Sequence, residues 1–284
     1  MNKYCIIVLY NPDIEKINKN VLDLLSQNIK VIIIDNTEYN NHEWFDIKND
    51  NVLYCQLNNN LGLSYAYNLG IKKIEKFKPT NNSGVLFLDQ DSDINIRNIN
   101  LLYETFFLQE SSTVIVAGNP LKRDGQAYRS YNERFVNVNF AISSFSIYRY
   151  SVFKNIGLFQ EDFFIDHIDT DYCHRCIKKN LDIVIDTHVE FIQPIGTKPL
   201  YMFGRYLLPI PSTFRTYYQI RNVILSYNRD GISKKFLINE IKNRFIITVL
   251  SGYHERDLFK RLSLYFMGIF DGVRNIGGKY KSNK

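Results

Sequence analysis

Long hydrophobic runs are missing from this chain of 284 residues: no apolar stretch reaches the ~18 needed to cross a bilayer. The sequence is therefore expected to lie in the cytoplasm or against a membrane, not through one. The opening MNKYCIIVLYNPD holds six apolar residues, Tyr4 to Leu9, before Tyr10-Asn-Pro, with no small-residue cleavage site after them. It reads as a strand and not as a signal peptide. Cysteine is scarce: the four residues Cys5, Cys55, Cys173 and Cys176 cannot make a disulfide-dense framework, and Cys5 and Cys55 sit in apolar runs. A reducing compartment is implied. Glycine signatures are lacking as well. Without a dinucleotide fingerprint or a P-loop, nicotinamide dehydrogenases and phosphate-loop kinases are disfavoured, and without a G-x-S-x-G elbow so is a serine hydrolase. His42, His167, His188 and His254 show no metalloprotease spacing.

Aromatic residues are abundant by contrast, with 20 Tyr and 20 Phe, more than core filling requires. The net charge of +6 is uneven. Residues 201–284 carry 15 Lys and Arg against 5 Asp and Glu, a net of +10, which leaves −4 for residues 1–200. An acidic first part is followed by a basic, aromatic one, a balance that suits nucleic acid, anionic lipid, diphosphate groups or plain solvated surface. Four prolines, Pro194, Pro199, Pro209 and Pro211, mark the expected division near 200.

Along the first hundred residues short apolar runs alternate with helical patterns: CIIVLY, a helix over 13–27, KVIIID, NVLYCQL, a helix over 61–77, then GVLFLD. This alternation predicts a parallel, doubly wound α/β sheet. Ligands of such sheets sit at the carboxyl ends of strands, and these runs end in Tyr10-Asn11, Asp35-Asn36, Asn58 to Asn60 and Asp89 to Asp91. A further helix over 96–109, a strand STVIVAG, strands within 126–147 and a helical turn over 151–156 follow. Residues beyond Pro211 read as two or three amphipathic helices with a break at Asp230-Gly231.

In GVLFLDQDSD an apolar strand runs into carboxylates at i, i+2 and i+4, which face one side of an extended chain. Asp89, Asp91 and Asp93 are candidates to converge on Mg²⁺ or Mn²⁺, ions held by carboxylate oxygens together with substrate phosphates. A solvated acidic turn is the alternative; the position after the fourth run of this pattern favours the site. The segment 163–175 supplies Asp166, Asp169 and Asp171 ahead of a helix expected from about Thr170 to Lys179. Asp169 is either a helix cap or a general base, and three acids within six residues beside Phe159, Phe163 and Phe164 exceed what capping requires. Cys173 and Cys176 suggest zinc, but no second ligand pair follows, so helical packing of both thiols is preferred. Asn60-Leu-Gly62 opens a helix whose N–H groups are a weak candidate for an anion.

Taken together, VLYNP at 8–12, IDN at 34–36, NNLGLSYAYNLG at 59–70, LDQDS at 88–92 and GLFQEDFFIDHIDTDYCHR at 157–175 resemble family-two glycosyltransferases of the GT-A fold. The nearest likeness is to bacterial rhamnosyltransferases of polysaccharide and O-antigen assembly, and it continues at FRTYYQIRN, 214–222, and FDGVRNIGG, 270–278. The resemblance implies a mostly parallel central sheet flanked by helices, with a catalytic domain over 1–200 and a helical region over 201–284. It implies that Tyr10, Asn11 and Asp35 contact the nucleotide, that Asn60 and Gly62 shape its pocket, and that Asp89 and Asp91 bind the donor diphosphate and a divalent metal. Asp169 falls where the family places its catalytic carboxylate, with Asp171 assisting or capping. The chain departs from the family at Gln193, ahead of Gly196, where a histidine is common.

The implied reaction is an inverting transfer of a sugar to a hydroxyl group. A dTDP-rhamnose donor is favoured, with UDP-hexose or galactofuranose donors as alternatives. The implied acceptor is a polyprenyl-diphosphate-linked glycan, with Arg215, Arg221 and the helices beyond holding its diphosphate at an anionic inner membrane surface. A nucleotidyltransferase is disfavoured because YNPDIEK lacks the glycine-rich triphosphate loop, and a non-catalytic sugar-binding module is the remaining alternative. The basic residues follow helix faces and not a stacking sheet, which argues against nucleic acid.

Overall fold

The computed structural model describes residues 2–39, 49–193, 198–202 and 205–281. Its centre is an eight-stranded sheet built from β1 (Lys3–Leu9), β2 (Lys30–Asp35), β3 (Val52–Gln56), β4 (Gly84–Asp89), β5 (Thr113–Leu121), β6 (Phe135–Asn137), β7 (Ser146–Arg149) and β8 (Asp182–Ile192). The order is β3-β2-β1-β4-β7-β5-β8-β6. The first four strands are mutually parallel where they pair, as the alternation predicts. β7 departs from that expectation, running antiparallel between β4 and β5, and β6 is antiparallel to β8 at the edge. The cause is local. A parallel return needs a crossover, usually a helix, and no helix lies between β5 and β7.

Alternation along the strands divides the core in two. Tyr4 and Ile6 of β1 and Ile32 and Ile34 of β2 face one layer, where α2 (Leu63–Ile74), α4 (Tyr150–Asn155) and α5 (Ile168–Lys178) pack. Cys5, Ile7 and Leu9, with Val31 and Ile33, face the other, against α1 (Ile14–Ser26) and α3 (Ile96–Leu108). α1 starts where Asp13 accepts the Lys16 N–H at 3.2 Å. It then buries Ile17, Val21 and Leu24 at helical spacing, each contributing about 1.5–3 kcal/mol. Cys173 and Cys176 are both buried in the first layer, and burial pushes the Cys176 thiol up to about 12. Their helical spacing thus serves packing.

Beyond β8 a two-stranded antiparallel hairpin, β9 (Lys198–Met202) and β10 (Arg205–Ile210), leads to α6 (Arg215–Asn228), α7 (Lys234–Glu255) and α8 (Leu258–Val273). The division expected near 200 falls within β9. α6 is not an appendage: its Leu225 joins the main core, and Ile220 and Ile224 pack under α8. α8 can approach only because Gly268 and Gly272 lack side chains. A Cβ on Gly268 would stand 2.5 Å from Ile220 Cγ2 and 2.6 Å from the Tyr217 carbonyl. Among the described residues no helix is long and apolar enough to cross a membrane.

Candidate active site

Adjacent strands β1 and β4 end side by side, with Val8 in register with Asp89. Past that point the Gln90 amide ties the two exits together, accepting the Tyr10 N–H at 2.7 Å and donating to the Tyr10 carbonyl at 3.0 Å. Asn11 follows in the left-handed region (φ 49°) and donates its N–H to Thr37 Oγ1 at 2.9 Å. Asp35, the last residue of β2, is fully buried and accepts from the Thr37 N–H at 2.9 Å and the Tyr54 hydroxyl at 2.7 Å. Tyr10 is exposed, whereas Asp35 underlies the crevice and braces Thr37.

The start of α2 corrects one expectation. The Leu61 N–H donates to Asn36 Oδ1 at 3.0 Å, the Gly62 N–H to Asn60 Oδ1 at 3.1 Å, and the Leu63 N–H to the Phe164 carbonyl at 2.6 Å. These three donors are spent within the protein, so the Asn60-Leu-Gly62 opening does not offer them to an anion. Gly62 has φ 95°, and a Cβ there would lie 2.7–2.8 Å from Phe164 atoms, two of them backbone. Only glycine allows α2 to approach the loop that precedes Asp169.

Asp89 closes β4, and the chain turns at once, with the Ser92 N–H bonded to the Asp89 carbonyl at 3.1 Å. Strand alternation therefore stops at Asp89, and Asp91 reaches the same region through the turn. Burial and the neighbouring Asp91 charge push the Asp89 carboxyl up to about 6, opposed by hydrogen bonds from Gln193 and Ser144 and by the Arg215 charge. Asp93 does not converge with them. It is exposed and pairs with Lys16 of α1 at 2.7 Å, while the same ammonium donates to the Asp91 carbonyl at 2.6 Å. Gln193, the position of the missing histidine, donates from Nε2 to Asp89 Oδ2 at 3.2 Å; Gly196 lies outside the described residues.

α5 begins at Ile168, two residues earlier than expected, so Asp169 lies in its first turn and the cap position falls to His167. Phe164, Asp166 and His167 all have positive φ, 65°, 66° and 63°. Such backbone costs about 1–3 kcal/mol per residue and persists only where partners fix it. Those partners come from α6. Asn222 Nδ2 donates to the carbonyls of Phe163, Ile165 and Asp166 at 2.8–2.9 Å, and Arg215 Nε meets both oxygens of Asp166 at 2.9 and 3.1 Å. The Arg221 guanidinium, fully buried, donates to the carbonyls of Asp162 at 3.1 Å, Phe163 at 2.9 Å and Gly278 at 2.6 Å. It is occupied by backbone and unable to meet an acceptor diphosphate, which corrects its expected role.

Burial pushes the Asp169 carboxyl up to about 6; hydrogen bonds from Ser143 oppose this, and the charges of Asp89 and Asp166 add to it. Asp89 and Asp169, 80 residues apart in sequence, thus lie close enough to sense each other's charge. Asp171 turns elsewhere. It is buried, accepts the Ser226 hydroxyl at 2.6 Å and pairs with Arg175 at 2.9 Å, so it fastens α5 to α6 and neither assists the site nor caps the helix. Ser143 and Ser144 join the site from a segment with no motif of its own, and Gln193 joins it from the position where the resemblance expects a histidine. Asn222 and Arg215 belong to FRTYYQIRN, a stretch that the family resemblance singles out.

A stability effect follows from Asp169. Its folded value lies above the ordinary 3.8, so between about pH 4 and 6 the folded chain holds a proton that the unfolded chain has released. The stability this group contributes is present at the acid end and is lost as pH rises through about 6. Asp169→Asn is therefore expected to raise stability by about 1–3 kcal/mol at pH 7, with the gain shrinking toward pH 4. Urea unfolding of both proteins at the two pH values checks this, and a gain independent of pH contradicts it.

Full-length relatives accord with this geometry. The chain is 27% identical over 302 residues to the dTDP-rhamnosyl transferase RfbF of Shigella flexneri, covering 99% of each. It is 24% identical over 299 residues to the low-salt glycan biosynthesis hexosyltransferase Agl10 of Haloferax volcanii, covering 96% of this chain and 92% of that one. No family model matches. Among solved structures, S. aureus TarS 1–349 in complex with UDP-GlcNAc superposes with a TM-score of 0.61 at 16% identity, covering 96% of this chain and 81% of that one. GalNAc-T7 with UDP, GalNAc and Mn²⁺ gives 0.55 at 10% identity, covering 86% and 54%. Sheet order, strand-end carboxylates and relatives matched along their whole length lead to one conclusion: the chain is a glycosyltransferase with the GT-A fold.

Proposed function

We propose that the chain is an inverting rhamnosyltransferase that moves rhamnose from dTDP-rhamnose to a hydroxyl of a lipid-linked glycan, in the assembly of O-antigen or another surface polysaccharide. The observation that carries this reading is that Asp89, at the end of β4, and Asp169, in the first turn of α5, hydrogen-bond to the adjacent serines Ser144 and Ser143. In this reading Tyr10, Asn11, Asn60, Gly62 and the Asp35-braced Thr37 form the nucleotide side, and Asp89 and Asp91 face the diphosphate. Asp169 takes the acceptor hydroxyl proton as that oxygen attacks the anomeric carbon from the face opposite the leaving nucleoside diphosphate, so the configuration inverts. The near 27% identity to a dTDP-rhamnosyl transferase supports the donor. A UDP-hexose donor is the second reading, favoured by the hexosyltransferase relative and the UDP-GlcNAc complex of TarS.

A divalent cation suits the pair Asp89 and Asp91. Both offer hard oxygen ligands, and the rise of the Asp89 carboxyl, caused first by burial and then by the Asp91 charge, marks a place where a cation would stabilise the ionised form. Among the described residues no group of three or more acids, histidines or cysteines gathers to hold a metal alone, so diphosphate oxygens and water would complete the shell. When bound, Mg²⁺ or Mn²⁺ supplies positive charge against the leaving diphosphate. The exposed lysines of α7, Lys234, Lys235 and Lys242, and the exposed rings of α8, Phe259, Phe266 and Phe270, support a location against the anionic inner face of the cell membrane, with residues 201–284 as the acceptor-facing part.

A thermal-shift panel of dTDP-rhamnose, UDP-hexoses and UDP-galactofuranose with and without Mn²⁺ tests the donor. A ligand at 100 times its Kd stabilises the fold by about 2.7 kcal/mol, so dTDP-rhamnose should raise Tm by several degrees and the others little. A shift confined to a UDP-sugar would overturn the rhamnose assignment.

A further inference from the structure

One side of α8 is buried through Arg261, Leu264, Tyr265, Gly268 and Gly272. On the other, Phe259, Phe266, Phe270 and Val273 recur at helical spacing and are 57–88% exposed. Beside this stripe residues 276–281 fold back toward α6, and a cavity of about 770 Å³ opens between tail and helix. Phe266, Phe270 and Ile276 form apolar walls, while Arg274, Lys279 and Lys281 bring cations. The acid in the wall, Asp271, accepts the Tyr217 hydroxyl at 2.6 Å. Among the described residues Arg274 and Lys281 have no carboxylate partner, and Lys279 has only Glu38 at 4.0 Å.

The tail is built into place. Gly278 donates its N–H to the Asp162 carbonyl at 2.6 Å and offers its own carbonyl to Arg221, and the Tyr280 N–H donates to the Tyr218 hydroxyl at 2.8 Å. A side chain on Gly277 would collide with Asp162. The cavity also backs onto the active site. Tyr217 lines it, and Tyr218 stacks on Phe164, in the loop before Asp169, with ring centroids 5.2 Å apart.

An apolar trough rimmed by Arg274, which lies over the Phe270 ring at 4.8 Å, and by Lys279 and Lys281 fits one chemistry, an anionic head on a hydrocarbon chain. We propose that this cavity seats the phosphate-bearing end of the acceptor's lipid carrier, with Arg274, Lys279 and Lys281 on the phosphate and the α8 stripe along the first part of the chain. The identity of that lipid as the acceptor rests on the transferase reading; its binding does not require turnover.

Calorimetric titration of the full chain with farnesyl diphosphate, dimethylallyl diphosphate and inorganic pyrophosphate tests this. Farnesyl diphosphate should bind once per chain and at least about tenfold more tightly than dimethylallyl diphosphate, because its longer hydrocarbon chain buries more apolar surface. Arg274→Glu/Lys281→Glu should weaken farnesyl diphosphate at least about tenfold while unfolding in urea as the wild type does. Equal affinity for the three diphosphates, or unchanged binding in the double variant, overturns the proposal. Displacement of farnesyl diphosphate by equimolar short-chain phosphatidylglycerol also overturns it, by assigning the cavity to bulk phospholipid. No donor sugar is present, so failure here leaves the donor panel to judge the transferase reading separately.

Discussion

Replacing Asp169 with asparagine is expected to lower kcat by about 10²–10⁴-fold while donor affinity changes little. The amide keeps the shape of the carboxyl and can still accept from Ser143, which holds the wild-type side chain. It cannot take a proton. The loss should therefore fall on the chemical step, lowering kcat and kcat/KM for the acceptor together. The wild-type rate should climb with pH through about 6, where the buried carboxyl ionises, and level off near neutrality. Steady-state kinetics of both proteins between pH 5 and 8 check this. Turnover by the variant within tenfold of the wild type would show that the base is another group. Together with the stability gain expected at pH 7, the outcome is a more stable fold that has lost its chemistry, because the cost of ionising a buried acid is removed along with the base.

The second large effect is structural and falls on the support of the loop before Asp169. Arg221→Met should destabilise the fold by roughly 3 kcal/mol or more, because hydrogen bonds from a charged donor are worth about 1.5–3 kcal/mol each. Three backbone carbonyls lose that donor, at Asp162, Phe163 and Gly278. Asn222 still reaches Phe163 and the Gly278 N–H still reaches Asp162, so the Gly278 carbonyl is left most exposed to loss. Methionine fills the space between the Tyr217 and Tyr218 rings, which flank the guanidinium at 5.1 and 4.9 Å, but it offers no N–H. Lysine should not rescue, since one ammonium cannot span carbonyls that the planar guanidinium reaches together. Urea unfolding should show the drop in midpoint, and limited proteolysis should cut first at the tail released from Gly278. An unchanged midpoint would mean that these bonds contribute nothing net.

These two residues show what the sequence made legible. The position of Asp169 at the start of a helix was readable because an acidic segment followed by an amphipathic helix is a local pattern, and the strand-end placement of Asp89 followed from period-two apolar runs. Most of the wrong or missing assignments depend on partners distant in the chain. Asp93 shares the spacing of Asp89 and Asp91, yet Lys16, 77 residues away, draws it off. Asp171 lies beside Asp169, but Ser226 and Arg175 hold it in the interior. Arg221 carries a charge that suggested a surface ligand, and only the packed α6 shows it serving backbone. The helix opening at Asn60 offered free donors on paper, and Asn36 and Phe164 occupy them. β7 broke the parallel pattern because direction depends on how a connection returns and not on the strand's own residues.

Isothermal titration of dTDP-rhamnose into wild type, Asp89→Ala and Asp91→Ala, each with Mn²⁺ and with EDTA, addresses the role of the strand-end carboxylates directly. Wild type should bind the donor more tightly with Mn²⁺ by at least about tenfold, equal to ~1.4 kcal/mol, and both variants should lose that difference. Equal, Mn²⁺-dependent affinity in all three proteins would mean that the donor diphosphate is held somewhere else.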